Sequence, residues 1–91
     1  MKPSVSDVQC LPPAGDNADA LDRAEASCRA RGASLTAIRR DVLDLLYRSP
    51  TGVKAYDLLA RIKEVRPGAS PPTIYRALDF LIEQGLAHKI G

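Results

Sequence analysis

SPPTIYRALDFLIEQG, residues 70–85, opens on two prolines and closes on a glycine. The first turn of a helix has N–H groups with no acceptor inside the helix, so Pro71 and Pro72 do no harm there. Ser70 is placed to cap that turn, and Gly85 to end the helix. At 3.6 residues per turn, Ile74, Ala77, Leu78, Leu81 and Ile82 share one face. Pro72, Thr73, Tyr75, Arg76 and Asp79 fall on the other. An aromatic and a guanidinium therefore stand side by side near the start of the helix, on the face turned from the core.

Upstream, two more stretches read the same way. In VKAYDLLARIKEVRPG, Ala55, Leu58, Leu59, Ile62 and Val65 form an apolar stripe, ended by Pro67-Gly68. In SLTAIRRDVLDLLYRSPTG, Thr36 is a candidate N-cap, and Ile38, Val42, Leu45 and Leu46 recur at helical spacing. Pro50 disfavours helical geometry at Ser49 and sets the end of that helix; Thr51-Gly52 reads as a turn. From Ala20 to Ala30, Leu21, Ala24 and Cys28 give one further stripe, with Asp19 as its cap and Gly32 as its stop. Cys28 is expected to pack as a small apolar residue. LAHKI, after Gly85, alternates like a short strand. Leu78 and Leu81 are expected to pack on Leu45, Leu46 and Leu59.

Residues 1–19 hold three of the seven prolines and no sustained period, and are expected to be a disordered N-terminal tail ahead of a single domain, 20–91. Charge divides the same way. Residues 1–20 carry one Lys and three Asp, net −2, and residues 21–91 carry 12 Lys+Arg and 8 Asp+Glu, net +4. A mild basic bias suits a polyanionic partner without demanding one. Aromatics make up only 4% of the chain, so aliphatic side chains must fill the core. Cys10 and Cys28 are far apart and form no CxxC pair, a poor disulfide framework and a poor zinc site. No apolar run approaches a membrane span or a signal peptide. The chain is expected to be cytoplasmic, with no membrane partner.

The order is helix, helix, then helix–short turn–helix, then strand. A helix–turn–helix enters the DNA major groove with the N-terminal residues of its second helix. Arg76 there can reach phosphate or chelate guanine, and Tyr75 can bond phosphate or pack on sugar. The same two residues would also serve as a solvated face, and spacing alone leaves both readings open.

The segments LTAIRRDVLDLL, AYDLL and above all PPTIYRALDFLIEQGLAHKI resemble the N-terminal half of the ferric uptake regulator family. The resemblance runs from about Leu21 to Gly91. Its core is Thr73-Ile74-Tyr75-Arg76-Ala77-Leu78, and the paired prolines, DFLIEQG and His88-Lys89 lean to the zinc-responsive branch. It implies a mainly α, winged helix–turn–helix fold, with four helices and the first wing strand, the wing being cut before its second strand. It implies a DNA-binding domain of a metal-responsive, zinc-dependent transcriptional repressor of zinc uptake genes. The partners so implied are a double-stranded DNA operator and a second copy of the full-length protein, joined through a C-terminal domain that residues 1–91 do not include.

By the same resemblance, Arg76 reads purines from a recognition helix at about 71–84. Tyr56 also reaches DNA, Tyr75 contacts the backbone, and Thr73 and Arg39 stand where phosphates are met. His88 matches a regulatory zinc ligand of the full-length protein. One imidazole cannot complete a tetrahedral site, so this chain by itself is expected to bind no zinc cofactor. Ala60 and Lys63 occupy positions where the zinc branch can carry an acidic–basic pair between adjacent dimers, which puts that pair in doubt here.

An enzyme finds little support. There is one His, and no HExxH, GxGxxG, phosphate-binding GKS/T loop or nucleophile–His arrangement. The alternative of a different class is a winged-helix protein–protein interaction module without DNA binding, in which Asp41, Asp44 and Asp57 would matter as much as the arginines.

Overall fold

The computed structural model describes residues 7–9, 16–49 and 53–89. Within them lie four helices: α1 Asn17–Ala30, α2 Ala37–Tyr47, α3 Ala55–Val65 and α4 Pro71–Glu83. Three short strands, β1 Asp7–Gln9, β2 Val53–Lys54 and β3 His88–Lys89, form one antiparallel sheet in the order β2-β1-β3. The fold is mainly α, with a helix–turn–helix formed by α3 and α4 and the strand β3 after it. No described helix is long and apolar enough to cross a membrane.

The two glycine stops behave as their chemistry requires. Gly32 and Gly85 have φ of 77° and 75°, the left-handed region that an L side chain strains to enter. At each, the glycine N–H and the one after it fold back on the final turn. Gly32 bonds Arg29 O at 3.0 Å and Ala33 bonds Cys28 O at 2.9 Å. Gly85 bonds Ile82 O at 3.0 Å and Leu86 bonds Leu81 O at 2.9 Å. Carbonyls left open at both helix ends are thereby satisfied.

The N-termini hold a correction. Asp16, not Asp19, is the N-cap of α1, and Asp19 lies inside its first turn. The helix begins earlier than the apolar stripe suggested because polar residues extend it: Ala20 N–H bonds Asp16 O at 3.0 Å, and Asn17 Nδ2 donates to Asp44 Oδ1 of α2 at 3.4 Å. Thr36 and Ser70 are the N-caps of α2 and α4, but neither side chain makes a capping hydrogen bond to the backbone of its helix. The Ser70 and Thr73 hydroxyls instead bond each other at 2.9 Å.

The structure also departs from the expected tail at 1–19. Asp7–Gln9 form the middle strand of the sheet and α1 starts at Asn17. A three-residue strand carries too few side chains to show a period, so the backbone pairing was not visible in the sequence. Cys10, Pro50 and the Thr51-Gly52 turn lie outside the described residues.

The core is wholly apolar, and no polar or charged residue is buried among those described. Val42, Leu43 and Leu46 of α2 meet Leu58 and Ile62 of α3 and Ile74, Leu78 and Leu81 of α4, each with no exposed surface. Leu21, Ala24 and Cys28 of α1 close it from one side, with Cys28 as a free thiol packed like a small hydrophobe. Two expectations shift. Ile38 and Leu45 only flank this core, while Leu43, absent from the expected stripe, is fully buried. The helix is rotated so that Val42, Leu43 and Leu46 face inward. Leu59 is half-buried, and Val65 is 63% exposed because α3 runs out past the core at its last turn.

Charged ties ring this core. Arg40 of α2 meets Asp22 at 3.0 Å and Glu25 at 2.9 Å on α1. The Asp22 hydrogen bond, joined by the charges of Asp22 and Glu25, outweighs partial burial and raises the Arg40 pKa above its ordinary value. Arg66, just past α3, pairs with Asp41 of α2. Arg31 Nη1 donates to the Gln84 carbonyl at 2.8 Å, joining the ends of α1 and α4.

Burying a leucine fully stabilises by about 1.5–3 kcal/mol, whereas an exposed ion pair contributes about 0–1. Leu78→Ala is therefore expected to cost roughly 2–5 kcal/mol in urea melts. A loss below about half a kcal/mol would mean α4 is not seated as described. Arg40→Gln is expected to cost less than about 1 kcal/mol, and less still at high salt.

Candidate nucleic-acid interface

Helix α4 is held by Ile74, Ala77, Leu78 and Leu81, all buried, which fixes what its other side shows. Thr73, Arg76 and Asp79 are exposed, as are Pro71 and Pro72 at its start. Tyr75 is half-buried and packs against the core, so its ring is part scaffold. Thr73 stands in the first turn with its hydroxyl shared with Ser70.

Arg76 has no hydrogen bond or ion pair among the described residues. The contrast with other arginines is informative. Arg29, Arg40, Arg48 and Arg66 pair with carboxylates, and Arg31 with Gln84. Arg76 sits in the second turn of α4 with no partner among the described residues.

Tyr56 lies on a different helix, in the first turn of α3, and is 79% exposed. Lys54, the N-cap of α3, is exposed next to it. Further along α3, Ala60, Arg61 and Lys63 are exposed too. Lys54 and Arg61 were not singled out in the sequence. Their only signal was a basic residue on either side of Tyr56 in a helix–turn–helix, which many solvated helices share.

Arg39 is placed differently from the rest. It precedes Val42 and Leu43 by three and four residues and so shares their inward face. Its guanidinium lies 3.9 Å from the centroid of the Phe80 ring of α4, and Nη1 donates to Ser34 O at 2.8 Å. This side chain braces α2 against α4 and is only half-exposed. Ile38 beside it is half-buried as well and packs against the edge of the core, so the two residues share the border of the seam.

His88 is exposed on β3, where it pairs with Gln9 of β1. Among the described residues, no three His, Cys, Asp or Glu side chains gather in a way that could hold a metal ion. A single imidazole supplies one of the four ligands that zinc takes in such proteins. The described residues therefore do not by themselves gather a zinc site.

The ferric uptake regulator family model matches residues 30–91. The chain is 49% identical over 70 residues to the zinc uptake regulation proteins of Escherichia coli (strain K12) and Shigella flexneri, a match that covers 77% of this chain and 41% of each relative. It thus spans less than half the length of these curated relatives. A solved zinc uptake regulator, in complex with zinc and DNA, superposes with a TM-score of 0.74 at 45% identity, over 78% of this chain and 47% of that one. With the family model matched over more than half its residues, this chain belongs to the ferric uptake regulator family.

Proposed function

We propose that this chain is the DNA-binding part of a zinc-responsive transcriptional repressor, with α4 as its recognition helix in the major groove of operators of zinc uptake genes. The observation that carries the reading is Arg76, exposed near the start of α4 with no partner among the described residues, on a helix whose other face is locked into the core. Such an arginine is presented in a fixed direction at no cost of breaking an ion pair. Its planar fork matches O6 and N7 of guanine. The relatives named for zinc uptake regulation, and the regulator solved with zinc and DNA, support the same reading.

Tyr56 reaches DNA from α3, Tyr75 contacts the backbone, and Thr73 and the free edge of Arg39 meet phosphates. Phosphate contacts set the register, and Arg76 supplies the discrimination. Repression acts through a homodimer of the full-length protein, which engages two half-sites together. Zinc acts in that protein with His88 as one ligand and with further ligands outside the described residues.

The protein-interaction reading loses its main support. Asp41 is paired with Arg66, and Asp44 with Arg48 at 3.1 Å and with Asn17, so two of its three carboxylates are already neutralised within the molecule. Asp57 alone remains open among them.

Arg76→Ala in the dimer is expected to cost about 1–3 kcal/mol per half-site on a duplex selected for tight binding from a random pool. On a scrambled duplex the loss is expected to be much smaller, because the base contact does not form there. Equal losses on the two duplexes would remove Arg76 as the base reader. Arg39→Ala is expected to weaken both alike and to flatten the slope of log K against log salt by about one unit.

In calorimetry, the 91-residue chain is expected to bind zinc no tighter than micromolar. Sub-micromolar binding would show a complete site within it. In the full-length protein, His88→Ala is expected to reduce zinc-dependent DNA binding and leave the helical circular dichroism unchanged.

A further inference from the structure

Arg39 and Arg40 are neighbours in the chain but are held by opposite means. Arg40 meets two carboxylates, those of Asp22 and Glu25. Arg39 makes no ion pair among the described residues. Its guanidinium lies over the Phe80 ring, 3.9 Å from the centroid, and Nη1 donates to the Ser34 carbonyl at 2.8 Å. Both of these partners are neutral. A carboxylate holds a guanidinium and cancels its charge, whereas a ring face and a carbonyl hold it and leave the charge whole.

The local field does not favour a cation at this place. Arg39 is the third residue of α2, in a first turn that carries no acidic side chain. The open N–H groups of that turn already give the helix end a positive sign. A guanidinium there is stabilised by something outside the helix, and the negative face of the Phe80 ring supplies it.

Phe80 is itself well anchored. It is half-buried against the core, next to Leu81 and two residues after Leu78, both of which are fully buried. It also follows Arg76 by four residues, so the two are neighbours on the surface of α4. One ring thus ties Arg39 of α2 to the side of α4 that displays Arg76. The place of one guanidinium relative to the other depends on it.

We infer that Phe80 is a positioning residue for DNA binding: its ring holds Arg39, with its charge uncancelled, at a fixed offset from Arg76, so that a phosphate contact and a base contact are made in one register. Phe80 acts through Arg39. The inference rests on the reading of Arg39 as a phosphate contact.

A double-mutant cycle in the full-length dimer tests it, with Kd measured on a duplex selected for tight binding. Phe80→Leu keeps an apolar side chain and removes the ring face. It is expected to weaken binding about two- to fivefold per half-site, the size of one exposed cation–π contact. Phe80→Tyr keeps the face and is expected to bind like the parent. In an Arg39→Ala background, Phe80→Leu is expected to cost nothing further. Nuclear magnetic resonance gives a readout without DNA. The Arg39 side-chain resonances are expected to carry a ring-current shift in the parent and in Phe80→Tyr, and to lose it in Phe80→Leu. Parent-like binding by Phe80→Leu, with the ring-current shift lost, would overturn the inference. So would an equal loss in the Arg39→Ala background, which would mark Phe80 as a general support of α4. Parent-like binding by Arg39→Ala would instead remove the phosphate contact itself, and the positioning role with it.

Discussion

The contact of α2 with α4 governs everything else in this molecule. Val42, Leu43 and Leu46 press on Ile74, Leu78 and Leu81, all six fully buried. Each helix is short, and helices of this length are marginal alone in water. Their order comes from this shared apolar seam. The seam also fixes the rotation of α4 about its axis, because four buried positions allow one orientation only. Arg76 is aimed outward for that reason, and a rotation of a single residue step would carry it toward the rim.

Polar groups are kept entirely to the periphery, where they direct geometry more than they stabilise. Arg40, Arg66 and Arg31 each bridge two different elements and meet near α2 or the ends of α1 and α4. Arg39 does the same with an aromatic ring as partner. Most of the acidic side chains of α1 and α2 are consumed in these bridges. Among the described side chains, the cations outside these bridges and outside the ion pairs of Arg29 and Arg48 are Arg23 on α1, Lys54 at the start of α3, Arg61 and Lys63 on α3, and Arg76 on α4. The helix–turn–helix itself carries both signs, since Asp57, Glu64, Asp79 and Glu83 are exposed there as well.

Much of this was legible in the residues. The apolar face of α4, its prolines and the two glycine stops each rest on a local rule that tertiary packing had no cause to override. Failures came where two neighbours competed for one position. Ile38 and Arg39 both border the seam. Hydropathy favours Ile38, yet a long side chain can line the inward face and carry its charge out over Phe80. Val65 looked like the last member of a stripe, but a period cannot show where the core it faces comes to an end. β1 was illegible for another reason, since pairing through the backbone leaves no mark on side-chain pattern. For the candidate site, composition and spacing led to an exposed Tyr and Arg. Only the geometry distinguished Arg76, with no partner among the described residues, from Arg39, with some of its donors spent.

Cys28 makes α1 observable. Its thiol is 1% exposed, seated between that helix and the seam, and it reacts with a thiol reagent only once the helix lifts away. The protein thus carries an internal clock for the opening of its first helix. The labelling rate at Cys28 sums every opening that frees α1, so a rate above that of global unfolding would reveal openings of this helix alone.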